Sequence, residues 1–216
     1  MRLGSSALSL KHSWSGSTPS LGSTPSATSI NNFINFCAGQ NITDGSPSRN
    51  RHCNPAPIGL LPSSNNIPSV KILNPKNGDI IPSGSPFTVS LGSKNFAGTF
   101  STSAIQTYMT APQQLDPQGN VMGHFHLSIE KLSSFNQTTP TDPSVFAVSR
   151  GIFNNPPSSE IPADLLEPGL YRAMVSLHTA NHSPVMLPIA EHGGTDDAVY
   201  VGQSSLEECL VCLYWI

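Results

Sequence analysis

The chain is short of charge. Lys and Arg number 10 and Asp and Glu 13, so charged residues make up only 11% of its 216 positions, against about a quarter in an average soluble protein. The formal net charge of -3 comes with no cluster of Lys and Arg able to neutralise a run of phosphates, which argues against nucleic acid as a partner. Long apolar runs are missing too. No stretch approaches the roughly 18 apolar residues of a membrane helix, so no membrane span is expected and the chain reads as soluble. The N-terminus also lacks the apolar run of about 7 to 15 residues that a secretory signal needs, because Ala7 to Leu10 is cut off at once by Lys11, His12 and Ser13. Missing motifs exclude common chemistries. There is no G-x-S-x-G elbow, no Walker loop, no G-x-G-x-x-G turn, no H-E-x-x-H helix and no EF-hand loop. The usual frameworks for hydrolysis, phosphoryl transfer and hydride transfer therefore lose support. Asp196 and Asp197 are adjacent, so on a strand they face opposite sides and do not form the facing carboxylates of a glycosidase.

What is abundant is turn-forming. Twenty Pro and 17 Gly accompany many Ser, Thr and Asn, and 37% hydrophobic content suffices for one core. This composition points to a single extracellular β domain rather than a helical cytosolic one. Residues 4–29 are almost entirely Ser, Gly, Thr, Pro and Ala, too polar and small to offset chain entropy, so 1–29 is expected to be a disordered segment. Residues 30–68 are apolar only locally (Phe33, Ile34, Phe36; Ile58, Leu60, Leu61) with prolines between, which fits an irregular arm. The β domain is placed at 69–203. Its expected strands are Val70–Leu73, Ile80–Ile81, Phe87–Leu91, Thr107–Met109, Val121–Ile129, Val145–Val148, Leu170–Leu177, Val185–Ala190 and Ala198–Val201, with Asn77-Gly78 as a turn between the first two. Many short strands separated by turn residues suggest an all-β fold, an immunoglobulin-like antiparallel sandwich. Ser159–Leu166 is the one place for a short helix, with Pro162 near its start. The tail 204–216 turns abruptly apolar and carries Cys209 and Cys212 as a CxxC without a βαβ context. It is read as a gene-model error rather than as a redox or zinc site.

Cys37 and Cys53 lie sixteen positions apart in the irregular arm. A disulfide there would contribute up to about 3 kcal/mol by the chain-entropy estimate; the alternative is two unrelated buried thiols. Asn41-Ile42-Thr43 and Asn136-Gln137-Thr138 are acceptor sequons for N-glycosylation, whereas Asn181-His182-Ser183 is followed by the unfavourable Pro184. Together with the cysteine pair they point to a secreted glycoprotein, despite the missing signal. A misassigned first exon is the favoured account of 1–29.

Five of the seven histidines fall between 124 and 192. His124 and His126 flank Phe125 within an expected strand, so both imidazoles project from one face about 7 Å apart and can converge on one ion. His178, His182 and His192 come later, and a further ligand from His182 or His192 is geometrically reasonable in a sandwich. Asp196 and Asp197 are the nearest carboxylates and suit a further ligand, a supporting shell or a base. Copper or zinc would match such donors. The competing reading is that the histidines only brace loops, in a structural or host-interaction protein.

Several stretches carry a resemblance: Phe36-Cys37, His52-Cys53-Asn54, Pro75-Lys76-Asn77-Gly78, Ala111-Pro112-Gln113-Gln114-Leu115, Gly123-His124-Phe125-His126, Thr138–Pro143, Ala180-Asn181-His182 and His192-Gly193 with Asp197. Over about residues 33–201 the chain resembles a family of small secreted fungal proteins without an established activity. Members are sometimes labelled as a small-subunit ribosomal protein, a name at odds with the acidic charge here. In outline it is also similar to a bacterial domain with an immunoglobulin-like look. The fungal resemblance implies a signal peptide directly before the Phe36-Cys37 region, so that 1–29 is foreign. It also implies His124, His126, His182 and His192, rather than His178, as the site. The expectation is therefore a secreted fungal metal- or ligand-binding module without established catalysis, acting on or near a cell-wall or matrix polymer. A metal-assisted enzyme acting on such a polymer is the further alternative.

Overall fold

The computed structural model describes residues 34–35, 37–42, 50, 53–105 and 107–204. The expectations for 1–29 and for Cys209 and Cys212 lie outside these residues. The chain divides into two compact units, one of Met1–Asp44 with Ser48–Pro55 and one of Gly45–Pro47 with Ala56–Ile216. In the first, Cys37 and Cys53 are disulfide-bonded with their Cα atoms 5.6 Å apart. A short bridge pairs Ile42 with Cys53, whose N–H donates to the Asn41 carbonyl.

The second unit is all-β, and no helix occurs among the described residues. Its strands are β1 (Ser69–Asn74), β2 (Ile80–Pro82), β3 (Phe87–Lys94), β4 (Phe96–Ala97), β5 (Val121–Leu132), β6 (Val148–Ile152), β7 (Ser158–Ile161), β8 (Gly169–Thr179) and β9 (Asp197–Ser204). One sheet has the order β1-β3-β7; the other runs β2-β9-β8-β5-β4, with β6 also paired to β5. Pairing is antiparallel except at two short margins, β2 with β9 and β4 with β5. The two sheets form a sandwich around one core.

Alternation decides which side of each strand is buried. On β5, Val121, Phe125, Leu127 and Ile129 are almost wholly buried, and on β8 Tyr171, Ala173, Val175 and Leu177 are too. Val70, Ile72, Val89, Leu91 and Ile161 of the smaller sheet belong to the same apolar cluster. Once these residues face inward, the odd-out residues of β5 and β8 must face outward. That outer face carries His124, His126 and His178.

Four expectations need correction. Val145–Ala147 lies outside any strand, the Val145 N–H closing a turn on the Asp142 carbonyl, and the strand begins only at Val148. Ser159–Leu166 is not helical: Phe87 and Val89 of β3 pair with Ile161 and Ser159, and Ile161 is fully buried, so an edge-strand pairing wins over local helix propensity. Thr107–Met109 is a turn, because the Thr107 N–H and hydroxyl both bond the Ser103 carbonyl and Met109 adopts a positive φ of 53°. Val185–Ala190 forms no strand: Pro184 makes only an isolated bridge to His178, and the Met186 N–H is taken by the Gln113 side chain.

Candidate functional site

The antiparallel register of β5 and β8 sets His124 directly opposite His178 and His126 opposite Ser176. Directly opposed side chains on one face lie within about 5 Å of one another. Gly123 makes this crossing possible. A Cβ there would run into the His178 carbonyl oxygen, so β8 can come this close only to a glycine.

A third element completes the group. After β8 the chain turns through Thr179–Ser183, held by a Thr179–Ser183 hydroxyl pair at 2.7 Å and by the His182 N–H on the Thr179 carbonyl. His182 sits in this turn at a φ of 69°, and its ring comes back over the sheet. Its centroid is 4.7 Å from that of His124, edge to face, and 6.1 Å from Tyr108, stacked. His178 lies 6.0 Å from His124 and 5.3 Å from His126 by the same measure. Four imidazoles thus form one cluster. The segment after β4 covers it: the Phe100 N–H bonds the Gly123 carbonyl and the Thr102 N–H the Ala180 carbonyl.

His124 is the floor of the cluster, only 2% exposed. Burial, reinforced by the nearby His182 and His178 rings, lowers its pKa to about 4, while a hydrogen bond to the Phe100 backbone pulls the other way. The ring Nδ1 is buried without a hydrogen-bond partner. His126 is half-buried; burial first, then His178 and His182, lowers its pKa as well, and its Nε2 lies 3.2 Å from the Ser149 hydroxyl.

The other rings follow the same rule. His182 Nε2 is 2.9 Å from the Thr102 carbonyl, which can only accept, so Nε2 carries the proton and Nδ1 keeps a lone pair. His178 Nδ1 donates to the His182 carbonyl at 3.2 Å, leaving Nε2 to accept from the Ser176 hydroxyl at 3.0 Å. Backbone carbonyls therefore set the tautomers of His178 and His182. Even so, among the described residues no three His, Cys, Asp or Glu side chains are arranged as a metal ion would hold them.

His192 is elsewhere. It is exposed in the loop before β9, with Nδ1 2.7 Å from the Gly193 carbonyl. Asp196 accepts from the Leu177 N–H at 3.1 Å. Asp197 accepts from Lys71 Nζ at 2.9 Å and from the Ile72 N–H at 2.8 Å, clipping β1 to the start of β9. Burial pushes the Asp197 carboxyl up, but these donors outweigh it and leave the group below its usual range. Sequence reasoning ranked His178 below His192, although the alternation Tyr171, Ala173, Val175, Leu177 already put it on the polar side of β8. The two sequon asparagines, Asn41 and Asn136, are both exposed.

Residues 70–203, nearly the whole of the sandwich, match the family model described as the CLU5d N-terminal domain. The chain belongs to this family. The chain is 36% identical over 195 residues to "Pathogenicity cluster 5 protein d" of Colletotrichum graminicola (strain M1.001 / M2 / FGSC 10212), a match that takes in 87% of this chain and 40% of that relative. This CLU5d-type chain thus spans less than half the length of the curated relative. No solved structure matches it. A fungal family, as the resemblance implied, is what these matches support.

Proposed function

We propose that this CLU5d-type domain binds one transition-metal ion, copper or zinc, on the outer face of its larger sheet, through His124, His178 and His182 with His126 at the open side. One observation carries the reading. The His182 Nε2–H is held by the Thr102 carbonyl, which leaves Nδ1 a lone pair, and the buried Nδ1 of His124 beside it has no hydrogen-bond partner. Metal-ligating histidines are oriented this way, their second nitrogen donating to a carbonyl or carboxylate. The spacing is also suitable: imidazoles sharing an ion about 2 Å from each nitrogen have centroids about 5 Å apart, within the observed 4.7 to 6.0 Å. Binding requires the rings to rotate by a rotamer step, since their nitrogens do not converge as they stand.

The domain acts outside the cell, in this reading; the Cys37–Cys53 disulfide supports an oxidising compartment. The relative's name places it in a pathogenicity cluster, which supports a part for this chain too at the interface between a fungus and its host. The second reading, that the imidazoles only pin the segment around Thr102 and the Thr179–Ser183 turn to the sheet, is favoured by the absence of a converged set of donors. Calorimetric titration of the full chain with Cu(II) and with Zn(II) at pH 7.5 separates the two. One ion per chain is expected, with at least tenfold weaker binding in His124→Ala and in His178→Ala and unchanged binding in His192→Ala. Binding that is absent, or indifferent to His124 and His178, leaves the bracing reading.

A further inference from the structure

The outer face of β5 and β8 does not end at the histidines. Two residues on from His126 comes Ser128, and two further Glu130, about 13 Å along the strand. Glu130 is buried opposite Arg172, which donates to it at 2.6 Å and to the Thr141 hydroxyl at 2.9 Å; Thr141 in turn donates to Glu130 at 2.8 Å. Tyr200 of β9 stands across from Arg172. Over this end lies the loop that leaves β5, and between loop and sheet is a cleft of about 260 Å³, lined among others by Phe135, Gln137, Thr138, Thr139, Arg172 and Tyr200.

We propose that this cleft binds one unit of a neutral oligosaccharide, a site separate from the histidine cluster and independent of whether metal binds there. Three features select that chemistry. The Arg172 charge is already neutralised by Glu130, so an anionic group gains little by entering. What remains on the walls is hydroxyl, amide and aromatic. Phe135 and Tyr200 are 50% and 38% exposed, large flat surfaces left in water where a sugar's C–H face can stack, with a phenol hydroxyl beside one of them. The hydroxyls of Thr138 and Thr139 are exposed at the rim, and the buried Arg172 Nε–H has no partner in the protein.

The second feature is stiffness. Gln137 accepts from the Ser133 N–H and hydroxyl and donates to the Thr139 carbonyl, closing the loop on itself. A loop already ordered loses less entropy when a ligand arrives. The third is size. Ligand pockets run from about 300 to 1,000 Å³, and this cleft of about 260 Å³, just below that range, takes a single sugar ring of a chain that continues into solvent.

A sugar in this cleft can come from an external glycan or from one attached at the exposed Asn136, on the same loop. The test therefore uses the full chain and its Asn136→Gln variant, each titrated by NMR or calorimetry with chitotetraose, cellotetraose, laminaritetraose and mannotetraose, with tetragalacturonate as the anionic comparison. Each titration is repeated with EDTA. The expected result is saturable binding of at least one neutral tetrasaccharide, unaltered by EDTA and weakened tenfold or more by Phe135→Ala, an exposed change that leaves the fold intact by circular dichroism. Binding that appears only in Asn136→Gln assigns the cleft to the chain's own glycan and supports the site. Failure of all four neutral sugars in both proteins, tighter binding of tetragalacturonate, or affinity untouched by Phe135→Ala and by Thr139→Ala would overturn it.

Discussion

On the inner side of the β5–β8 ladder, Phe125, Leu127 and Ile129 meet Leu177, Val175 and Ala173; on the outer side the same two strands present His124, His126, Ser128 and Glu130 against His178, Ser176, Met174 and Arg172. The inner row is dry and interchangeable within limits of volume. The outer row, Met174 apart, is polar and partly wet. Yet the outer row has no means of setting its own alignment, because slipping the pair by one residue would expose the whole core row. The histidines face each other because Leu127 and Val175 do. The cluster is positioned by residues that never touch it.

The largest test of this division is Leu127→Ala. Leu127 is fully buried, so its truncation should cost about 2 to 5 kcal/mol, read as a lowered urea midpoint at pH 7. His126→Ala one position away should shift the same midpoint far less. Equal losses would mean that the outer row holds the register after all.

A smaller effect belongs to the outer row itself. In the unfolded chain a histidine titrates near 6.5, and in the fold His124 does so at about 4, so on acidification the unfolded state takes up the proton first. Stability of the metal-free protein should be full above pH 6.5 and decline toward pH 4, by on the order of 3 kcal/mol for His124. His126, also lowered, adds in the same direction. Urea midpoints at pH 7.5, 6.0 and 5.0 should fall for the native chain and fall clearly less for His124→Phe, where only the His126 contribution remains. Parallel curves for the two proteins would remove His124 from the account.

The smallest expected effect lies at the surface. Lys71 is well exposed where it meets Asp197, and Lys71→Met should cost no more than about 1 kcal/mol. Asp197 keeps its bond from the Ile72 N–H, which holds the clip without the cation. A loss of several kcal/mol would show that this outer contact, unlike the others, fixes the sheets.

Legibility in the sequence followed the same division. Strands with a clean apolar alternation, β3, β5, β8 and β9, were readable within a few residues, and so was the all-β class. β7 was hidden because Ser158, Ser159 and Glu160 carry no apolar signal and only the pairing with β3 makes a strand of them. Thr107–Met109 looked extended until its own hydroxyl bonding was considered. At the site, the shared face of His124 and His126 could be deduced from their spacing. The partnership with His178 and His182 could not, since it depends on a cross-strand register and on a turn whose φ is positive at a non-glycine residue. The Arg172–Glu130 pair was invisible for the same reason: 42 residues separate its members.

Gly123 gives the last of these contrasts a consequence for mutational tolerance. Because the His178 carbonyl occupies the place of its side chain, every substitution at 123 must push β8 away from β5 at the point where the imidazoles meet, whereas His124 and His126 can change without altering the backbone. In a saturation library selected only for folding, position 123 should return glycine alone while the half-buried 126 accepts many residues. The glycine preceding the two histidines would then be the stricter mark of this architecture.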